Sequence, residues 1–517
     1  METSTDRGAP RDRRRKRPEG QQTSPTRSER YRHLVNPFEP ARVLSEDHID
    51  AIHGAAIRVL AEVGMRVLHP QARSLLGEAG ALVHQADEHV HFDPDLVAAS
   101  IAAAPAQFEI RSRNGERDVA MGGRSVAFFP VAGPPHSIDL DRSRRAGSLS
   151  EFEDFIKLTQ AYDVLHGLTP AVEPQDVPLE VRHLHMTLSQ LLLSDKVPFI
   201  YCRGRAQVVD CLEMIRLVSG LDEGDFGREP HCWTVINTNS PRQLDLPMCE
   251  GIIDFARAGQ ALVITPFTLA GAMAPVSLAG ALTLQHAEAL AGITLAQVAK
   301  PGTPVVYGAF TSNVDMRSGA PAFGTPEAFK AAIASGQLAR HLGLPWRSSG
   351  VNTSNAPDTQ SAYETTINMF GALQGGANMI IHAAGWLESG LSASYEKFVL
   401  DVEMLQIVAE AFLPIDVSES EIAFDAIAGV APGGHFFGAP HTLERFRSAF
   451  YEPLVFDRSN FERWIESGGL TATERANRIW KDVLAGFETP PIDSGVADAL
   501  SEFVERRRAE GGALPRT

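Results

Sequence analysis

The chain contains few cysteines and no long apolar run, and both shortages restrict the class of protein to which it can belong. Only four of its 517 residues are cysteines, and they form no CxxC pair. We therefore expect neither a disulfide framework nor a metal site. No apolar stretch reaches the ~18 residues of a membrane helix, and none follows the amino terminus as in a signal peptide. These absences predict a cytoplasmic protein without membrane association.

Positive charge is scarce as well. The formal net charge of -17 argues against a nucleic-acid-binding protein, because neutralising phosphates requires a basic face. One basic cluster runs from Arg11 to Arg17 and is surrounded by Gly, Pro, Ser and Gln residues. Such a segment buries too little apolar surface to offset its ordering entropy. Residues 1–35 are therefore predicted to be a disordered basic tail, whereas 44% hydrophobic residues overall are typical of a globular protein.

The next segment, residues 36–147, has the pattern of an α+β accessory region. Residues 45–63 show helical periodicity, and residues 81–83 and 89–91 have the pattern of two strands of a hairpin. An Asn-Gly pair at 114–115 between alternating apolar residues predicts a further hairpin. This region is expected to form a layer of helices and hairpins beside the main domain.

The pattern of apolar and polar residues changes at Ser148, which is predicted to form a capping box with Glu151. From there to residue 440, short apolar segments alternate with longer helical segments. The eight candidate strands are 165–169, 197–202, 232–237, 261–267, 304–310, 346–351, 378–382 and a segment near 430–437. Eight strands, each followed by a helix, predict an α/β fold of the TIM-like (β/α)8 barrel type over residues 148–440.

A doubly wound open sheet is the alternative fold. It requires a glycine-rich GxGxxG turn after the first strand, and residues 169–173 read Thr-Pro-Ala-Val-Glu instead. Residues 441–508 are predicted to form a C-terminal helical extension, and residues 509–517 a disordered tail. In a barrel, the active site lies at the carboxyl ends of the strands and in the loops that follow them.

The loops after the candidate strands lack two common kinds of chemistry. A phosphate site needs glycines beside Lys or Arg, and a glycosidase needs two facing carboxylates, whereas only Glu173 and Glu388 stand at predicted strand ends. The aromatic, amide and hydroxyl groups that remain suit a cationic, weakly hydrated small molecule, because π faces attract cations. Large rings also fill barrel interiors by default. The aromatic candidates are Tyr307, Phe310, Trp386 and Phe437.

Three polar residues near strand ends are further candidates. His382 follows the apolar run Met-Ile-Ile and is either a site residue or a core histidine with satisfied hydrogen bonds. Arg347 lies near the end of the sixth candidate strand, where it pairs with either a neighbouring or a substrate carboxylate. Asn352 follows the same strand.

Five long and uncommon motifs add a resemblance to a known family. They are AGAMAPVSLAGALTLQHAEALAGI (270–293), PVVYGAFTSNVDMRSGAPAFGTPE (304–327), LPWRSSGVNTSNAPDTQSAYE (344–364), NMIIHAAGWLESGLSASYEKFVLDVEML (378–405) and PGGHFFGAPHTLERF (432–446). These motifs closely resemble the trimethylamine methyltransferase family, and the likeness extends from about residue 36 to residue 508.

The resemblance implies a TIM-like barrel that takes a methyl group from a methylamine. It also implies that the methyl acceptor is the cobalt of a corrinoid (cobalamin) carried by a cognate corrinoid protein, with no cofactor bound tightly by this chain. The family comprises enzymes with pyrrolysine and a larger group without it, which includes glycine betaine methyltransferases. This chain has no pyrrolysine in the loop 351–355, where the resemblance would place it. We therefore expect a methylated or quaternary amine such as glycine betaine as substrate.

Together these considerations predict a site and leave alternatives open. The expected catalytic residues are His382 and Asn352, and the expected substrate-binding residues are Tyr307, Phe310, Arg347, Trp386, Glu388 and Phe437. One alternative is a corrinoid-independent barrel lyase or hydrolase that uses His382 and Glu388 as an acid and base pair. Another is a non-catalytic betaine-binding protein. Long apolar helices such as 277–299 are compatible with a homo-oligomer without requiring one.

Overall fold

The computed structural model of the protein describes residues 31–516 and has a mixed α/β fold, which confirms the predicted class. The helices are Glu46–Arg58, Val59–Val63, Pro70–Glu78, Pro94–Ala103, Gly115–Arg117, Leu149–Ala161, Leu179–Leu193, Arg205–Ser219, Glu223–Phe226, Leu246–Arg257, Leu278–Ala299, Pro326–His341, Thr359–Gln374, Glu388–Gly390, Tyr395–Ala411, Glu419–Ile422, Phe424–Ala428, Pro440–Arg445, Phe461–Glu466, Ala472–Ala485 and Ser494–Ala509. The strands are Leu34–Val35, Met65–Val67, Leu82–His84, His89–His91, Phe108–Ile110, Val119–Met121, Ser125–Phe128, His136–Ile138, Arg145–Ala146, Trp233–Ile236, Gln243–Leu244, Ala261–Ile264, Phe267–Ala270, Val305–Gly308, Phe310–Val314, Pro321–Ala322, Trp346–Ser349, Met379–Ile381, Trp386–Leu387 and Ser392–Ser394. Most of the predicted basic tail lies outside the described residues, although Leu34–Val35 is a strand.

Seven of these strands form the central sheet. Its order is Leu34–Val35, Ser125–Phe128, Met379–Ile381, Trp346–Ser349, Val305–Gly308, Ala261–Ile264 and Trp233–Ile236. All neighbours are parallel except Leu34–Val35, which is antiparallel to Ser125–Phe128. Parallel strands covered on both faces read as continuous apolar runs, and all four residues of Ala261–Ile264 are buried. Five of the predicted strands lie in this sheet.

Two more of the predicted strands continue the parallel arrangement beyond Trp233–Ile236. They do so through isolated parallel bridges, which are Phe199 to Trp233 and Gly167 to Val197. The segment around Gly167 also contacts Ser125–Phe128, because the backbone N–H of His166 donates to the carbonyl of Phe128 at 2.8 Å. The segments around residues 167 and 199 therefore lie between Ser125–Phe128 and Trp233–Ile236.

The prediction of a strand near 430–437 is wrong. These residues form turns and irregular structure. In their Pro-Gly-Gly sequence, the proline has no backbone N–H to donate and the two glycines have no side chains that could pack in a strand. The strand Ser125–Phe128 instead pairs with Met379–Ile381. The boundary predicted at residue 148 is therefore also corrected, since this strand lies in the range assigned to the accessory region.

The amino-terminal elements cover the long helix Leu278–Ala299. Helices Glu46–Arg58 and Pro94–Ala103 pack on it, as does Leu246–Arg257 from the central domain. A helix that is apolar on all sides must be buried on all sides, and here the chain itself buries it. This helix therefore gives no support to a homo-oligomer.

The last described residues pack against the rest of the chain, in contrast to the disordered tail predicted for 509–517. The backbone N–H of Ala513 donates to Glu180 O at 2.7 Å, and that of Arg516 donates to Arg203 O at 2.8 Å. The first bond ties the carboxyl-terminal segment to the helix Leu179–Leu193, and the second ties it to Arg203, which lines the site described below. Within residues 31–516, no helix is both long enough and apolar enough to cross a membrane.

A buried lysine anchors the segment that bridges to Trp233–Ile236. The ammonium group of Lys196 donates to the carbonyls of Thr159 at 2.6 Å, Tyr162 at 2.8 Å and Leu165 at 2.6 Å. The first of these carbonyls belongs to the last turn of Leu149–Ala161, where a cation also complements the helix dipole. Lys196 therefore joins a helix end to the start of the segment that carries Phe199 into the site.

We expect Lys196→Met to destabilise the protein by about 3 kcal/mol, because it removes the Lys196 donor from the buried carbonyls of Thr159 and Leu165, whereas the Tyr162 carbonyl still accepts from the backbone N–H of Leu165. The matched control is Lys157→Met on the helix Leu149–Ala161. The ammonium of Lys157 lies 3.8 Å from Asp154 at a partly exposed position. Breaking that pair should cost less than about 1 kcal/mol. Urea unfolding of both variants measures the difference, and equal midpoints would contradict the anchoring role of Lys196.

Candidate active site

A cavity of about 710 Å³ opens at the carboxyl edge of the central sheet. Its size is in the range of small-molecule sites, which span about 300–1,000 Å³. The lining residues are Ala132, Gly133, Pro170, Phe199, Tyr201, Cys202, Arg203, Trp233, Val235, Asn237, Thr238, Asn239, Ser240, Met248, Phe267, Met273, Phe310, Arg347, Ile381, His382, Trp386, Ser389 and Gly390. Most of them lie at strand ends or in the loops that follow, so parallel strand direction brings distant parts of the sequence together.

Two groups of aromatic rings form much of the wall. In the first, the Phe199 ring contacts Tyr201 edge-on at 5.1 Å and Trp233 edge-on at 4.8 Å between centroids. In the second, the Phe310 ring lies 5.0 Å from Phe267. Trp386 adds a further ring beside the second group, 6.5 Å from Phe310. Rings presented in this way offer π faces to a cationic ligand.

Arg347 supplies a buried positive charge to the same cavity. Its side chain is 2% exposed, and among the described residues no carboxylate forms an ion pair with it. Its Nε has no hydrogen-bond acceptor, and its guanidinium lies 5.3 Å from the centroid of the Phe310 ring. Burial lowers the pKa of Arg347 to about 9. A cation in this condition requires an anion, because desolvating an unpaired charge is costly.

His382 lies between Arg347 and Trp386 and is neutral. It directly follows Met379–Ile381, adopts a left-handed φ of 60° and contacts the Trp386 ring at 4.1 Å. Burial, together with the charge of Arg347, holds the pKa of His382 well below its usual range. Its Nδ1 has no partner among the described residues. The imidazole therefore offers the cavity an uncharged hydrogen-bonding group.

Trp386 is held from behind by a buried polar network. The indole N–H donates to Asn352 O at 3.1 Å, and the Asn352 side-chain amide donates back to the Trp386 carbonyl. The preceding Gly385 N–H donates to Asp401 Oδ2 at 2.9 Å, and Asp401 is paired with Lys397. Asn352 thus positions a ring of the cavity wall and does not line the cavity itself.

Four of the eight predicted site residues line the cavity, namely Phe310, Arg347, His382 and Trp386. Tyr307 lies in the core, where its hydroxyl bonds Gln285 and His286 at 2.9 Å each. The Glu388 carboxylate instead accepts hydrogen bonds from Arg144 and Ser392.

Phe437 is 80% exposed, because the segment that carries it is not a strand of the sheet. The placements of Tyr307, Glu388 and Phe437 in the site are therefore corrected.

Sequence reasoning missed the first aromatic group, formed by Phe199, Tyr201 and Trp233. All three residues lie within or next to predicted strands. Aromatic residues at such positions are expected to fill the barrel core, so nothing marked these three as lining a site. The available signal was alternation, since residues 199 and 201 share one face of an extended segment.

The cysteines do not contribute a nucleophile. All four are buried and free of disulfides, and burial raises the pKa of Cys202 and that of Cys211 to about 12. Cys202 lines the cavity as a protonated thiol, which is a poor nucleophile and metal ligand. No group of three or more His, Cys, Asp or Glu side chains within residues 31–516 is arranged to hold a metal ion.

Comparison with known families identifies the chain. The family model described as trimethylamine methyltransferase (MTTB) matches residues 10–512. The chain belongs to this family. The membership expected from the motifs is therefore confirmed.

Among its relatives in the family, a glycine betaine methyltransferase of Desulfitobacterium hafniense is 36% identical over 91% of this chain and 98% of the relative. A trimethylamine methyltransferase MttB of Desulfitobacterium hafniense is 29% identical over 90% and 94%. The crystal structure of the Methanosarcina barkeri monomethylamine methyltransferase (MtmB) has a TM-score of 0.50 and 10% identity, covering 91% of this chain and 90% of that chain. This last likeness concerns the fold alone.

The close approach of Gly390 to Trp386 gives a test of the cavity wall. A Cβ on Gly390, which has φ +98°, would lie 2.5 Å from two atoms of the Trp386 ring. We expect Gly390→Ala to displace the ring and to destabilise the protein by about 1–3 kcal/mol more than backbone strain alone. Gly511→Ala is the control, since Gly511 has φ +95° and nothing within 4 Å. Unfolding midpoints and tryptophan emission report the difference, and identical behaviour of the two variants would disprove the contact.

Proposed function

We propose that this chain transfers a methyl group from a zwitterionic quaternary amine of the glycine betaine type to the cobalt of a corrinoid held by a separate protein. The observation that carries this proposal is the buried, unpaired Arg347 in a cavity walled by aromatic rings. A zwitterion satisfies both features, because its carboxylate pairs with the guanidinium and its ammonium faces the rings. The name of the 36% identical relative, a glycine betaine methyltransferase, supports the same substrate class.

We also propose that eight strand segments close into a barrel around this cavity. Parallel pairing runs from Ser125–Phe128 through Met379–Ile381 to Trp233–Ile236, and the two isolated bridges extend it. The bond from His166 N to Phe128 O supports closure on the starting strand. Such a barrel would account for a cavity at its carboxyl-terminal mouth.

The chain's own residues position and polarise the substrate. Arg347 fixes the carboxylate, the aromatic rings hold the ammonium, and both exclude water from the carbon that reacts. When the methyl group leaves, the electron pair of the C–N bond stays on nitrogen and a neutral tertiary amine remains. This step needs no proton, which agrees with the low pKa of His382. His382 is expected to orient the substrate by hydrogen bonding.

The corrinoid would belong to the partner, so the cavity must allow it to reach the substrate. A reduced corrinoid supplies a cobalt nucleophile that accepts a methyl group. Asn237 is an exposed lining residue whose amide would match the amide side chains that surround a corrin ring, whereas the Asn239 amide is hydrogen-bonded to Asp245. Gly133 and Gly390 add lining positions without side chains. These residues fit a cofactor presented from outside.

The lyase or hydrolase alternative receives less support. It requires His382 and Glu388 as an acid and base pair, but the Glu388 carboxylate accepts a hydrogen bond from Arg144 at 2.8 Å and is not part of the cavity lining. Neutral His382 next to Arg347 would also be a poor acid. The non-catalytic binding alternative differs from the proposal only in turnover, so an activity measurement separates them.

Turnover is tested by mixing the protein with cob(I)alamin and single amines and following the visible spectrum. We expect conversion to methylcobalamin with glycine betaine and less or none with trimethylamine. Silence with all quaternary amines would overturn the proposal. Binding without conversion would favour the binding-protein alternative, and consumption of substrate without any corrinoid would favour the lyase or hydrolase.

The role of Arg347 is tested by Arg347→Met and calorimetry. Removing one partner of a buried charge pair costs about 2–5 kcal/mol, so the Kd for glycine betaine should rise at least about 30-fold. The Kd for tetramethylammonium, which has no carboxylate, should stay unchanged or fall. Arg205→Met is the control, since Arg205 pairs with Asp254 outside the cavity. An equal loss of affinity for both ligands would contradict a carboxylate role for Arg347.

A further inference from the structure

Glu288 is a buried carboxylate that holds one of the loops around the cavity. It lies on the long helix Leu278–Ala299 and is 0% exposed, and it forms no ion pair with a Lys, Arg or His of the described chain. Its carboxylate accepts hydrogen bonds from the Thr238 hydroxyl at 2.6 Å, the Ser240 hydroxyl at 2.5 Å and the Arg242 backbone N–H at 2.8 Å. Burial raises the pKa of Glu288, and the three bonds oppose this effect, because donors stabilise the anionic form.

The loop that Glu288 holds forms part of the cavity wall. Thr238 and Ser240 line the cavity, as does Trp233 from the strand before them. The hydroxyl groups of Thr238 and Ser240 both donate to Glu288, so a single hydrogen bond separates its carboxylate from side chains of the wall. A charge that is this close to the cavity and buried from water acts on a ligand with little screening.

Glu288 and Arg347 approach the cavity from different sides. Arg347 belongs to the strand Trp346–Ser349, and the loop that Glu288 holds follows the strand Trp233–Ile236. Two other strands of the central sheet lie between these two, and neighbouring strands are ~4.8 Å apart. The cavity therefore has a positive charge in one wall and a negative charge behind another.

The charge of Glu288 is less neutralised than that of another carboxylate near the cavity. Glu173 pairs with the guanidinium of Arg203, a lining residue, at 2.8 Å. The charge of Arg242 acts on Glu288, but its guanidinium donates to Gly64 O at 3.2 Å and lies beyond ion-pair distance of the Glu288 carboxylate. A buried charge without a paired partner favours binding of the opposite charge, because the new partner offsets the cost of desolvation. Glu288 is thus available to attract a cation into the cavity.

We propose that Glu288 directs the orientation of a zwitterionic ligand and makes the cavity selective for the positive charge of that ligand. With the carboxylate held at Arg347, the negative charge of Glu288 draws the quaternary ammonium towards the wall formed by Thr238 and Ser240. Glu288 acts through this loop and does not touch the ligand, so it is a positioning residue. The inference rests on the proposed function for the identity of the zwitterion and adds the charge that recognises its ammonium.

Calorimetry with two ligands of the same shape tests the inference. In 3,3-dimethylbutyrate, a carbon atom replaces the nitrogen of glycine betaine, so the carboxylate remains and the positive charge is absent. Glu288→Gln removes the negative charge with little change of shape. We expect this variant to raise the Kd for glycine betaine roughly 10-fold and to leave the Kd for 3,3-dimethylbutyrate unchanged or lower. A purely structural role of Glu288 would weaken both ligands equally.

Glu403→Gln is the matched control. Glu403 is also 0% exposed, and it accepts hydrogen bonds from the Tyr451 hydroxyl and from the backbone N–H groups of Val455 and Phe456. None of these residues lines the cavity. The control therefore removes a buried charge elsewhere in the chain and should keep both Kd values of the wild type. Near-UV circular dichroism compares the fold of all variants.

Glu288→Asp gives a second test that does not depend on the folding of Glu288→Gln. Its shorter side chain loosens the loop but keeps the charge, so the ratio of the two Kd values should stay near that of the wild type even where both values rise. An unchanged ratio in Glu288→Gln, or a ratio lost in Glu288→Asp, would overturn the inference.

The outcomes also separate this inference from the proposed methyl transfer. A selective loss of glycine betaine binding in Glu288→Gln, with no methyl transfer to cob(I)alamin by the wild type, would support the role of Glu288 and overturn the proposed reaction. Methyl transfer by the wild type together with an unchanged ratio of Kd values would do the reverse. A wild type that binds neither ligand would overturn the role of Glu288 together with the proposed substrate class.

Discussion

The site depends on one electrostatic constraint, the burial of Arg347 without a carboxylate from the described chain. A guanidinium with 2% exposure loses most of its hydration, and the quadrupole of the Phe310 ring, 5.3 Å away, replaces only part of it. Burial and, after it, the same charge hold the pKa of His382 well below its usual range. The cavity is therefore organised around a cation that an incoming anion would neutralise, and the stability lost by burying this charge is available for ligand binding.

Keeping that arrangement fixed requires support from outside the cavity. The polar network of Asn352, Lys397 and Asp401 holds the loop of Trp386 through backbone and side-chain hydrogen bonds. On the opposite wall, Glu288 from the long buried helix accepts hydrogen bonds from Thr238 at 2.6 Å and from Arg242 N at 2.8 Å. Within each network, the buried side chains are hydrogen-bonded to one another or to the backbone. Each network therefore fixes its lining loop more rigidly than exposed contacts would.

Sequence alone predicted most of the sheet, because Ala261–Ile264 and its neighbours are uninterrupted apolar runs between capped helices. The prediction was wrong where one apolar or aromatic pattern was compatible with two different positions in the fold. Ser125–Phe128 follows a hairpin directly and was assigned to it, although pairing with distant Met379–Ile381 decides its place. Tyr307 and Phe310 lie three residues apart in similar surroundings, yet one hydroxyl is bonded in the core and the other ring lines the cavity. Tyr307 belongs to the strand Val305–Gly308 and Phe310 begins the next strand, Phe310–Val314, so a strand break that the motif does not encode separates them.

The coexistence of a cation and cation-binding rings in one cavity constrains what can bind. A quaternary ammonium without a carboxylate would gain from the rings around Trp233 and Trp386 but would be repelled by Arg347, which no described carboxylate screens. A zwitterion experiences the opposite balance, because its carboxylate cancels that repulsion and adds a charge-assisted hydrogen bond. Discrimination then comes from an unfavourable interaction with the wrong ligand as much as from a favourable one with the right ligand. Under the proposed function, the rings alone would bind any methylated ammonium, and the arginine would make the cavity selective.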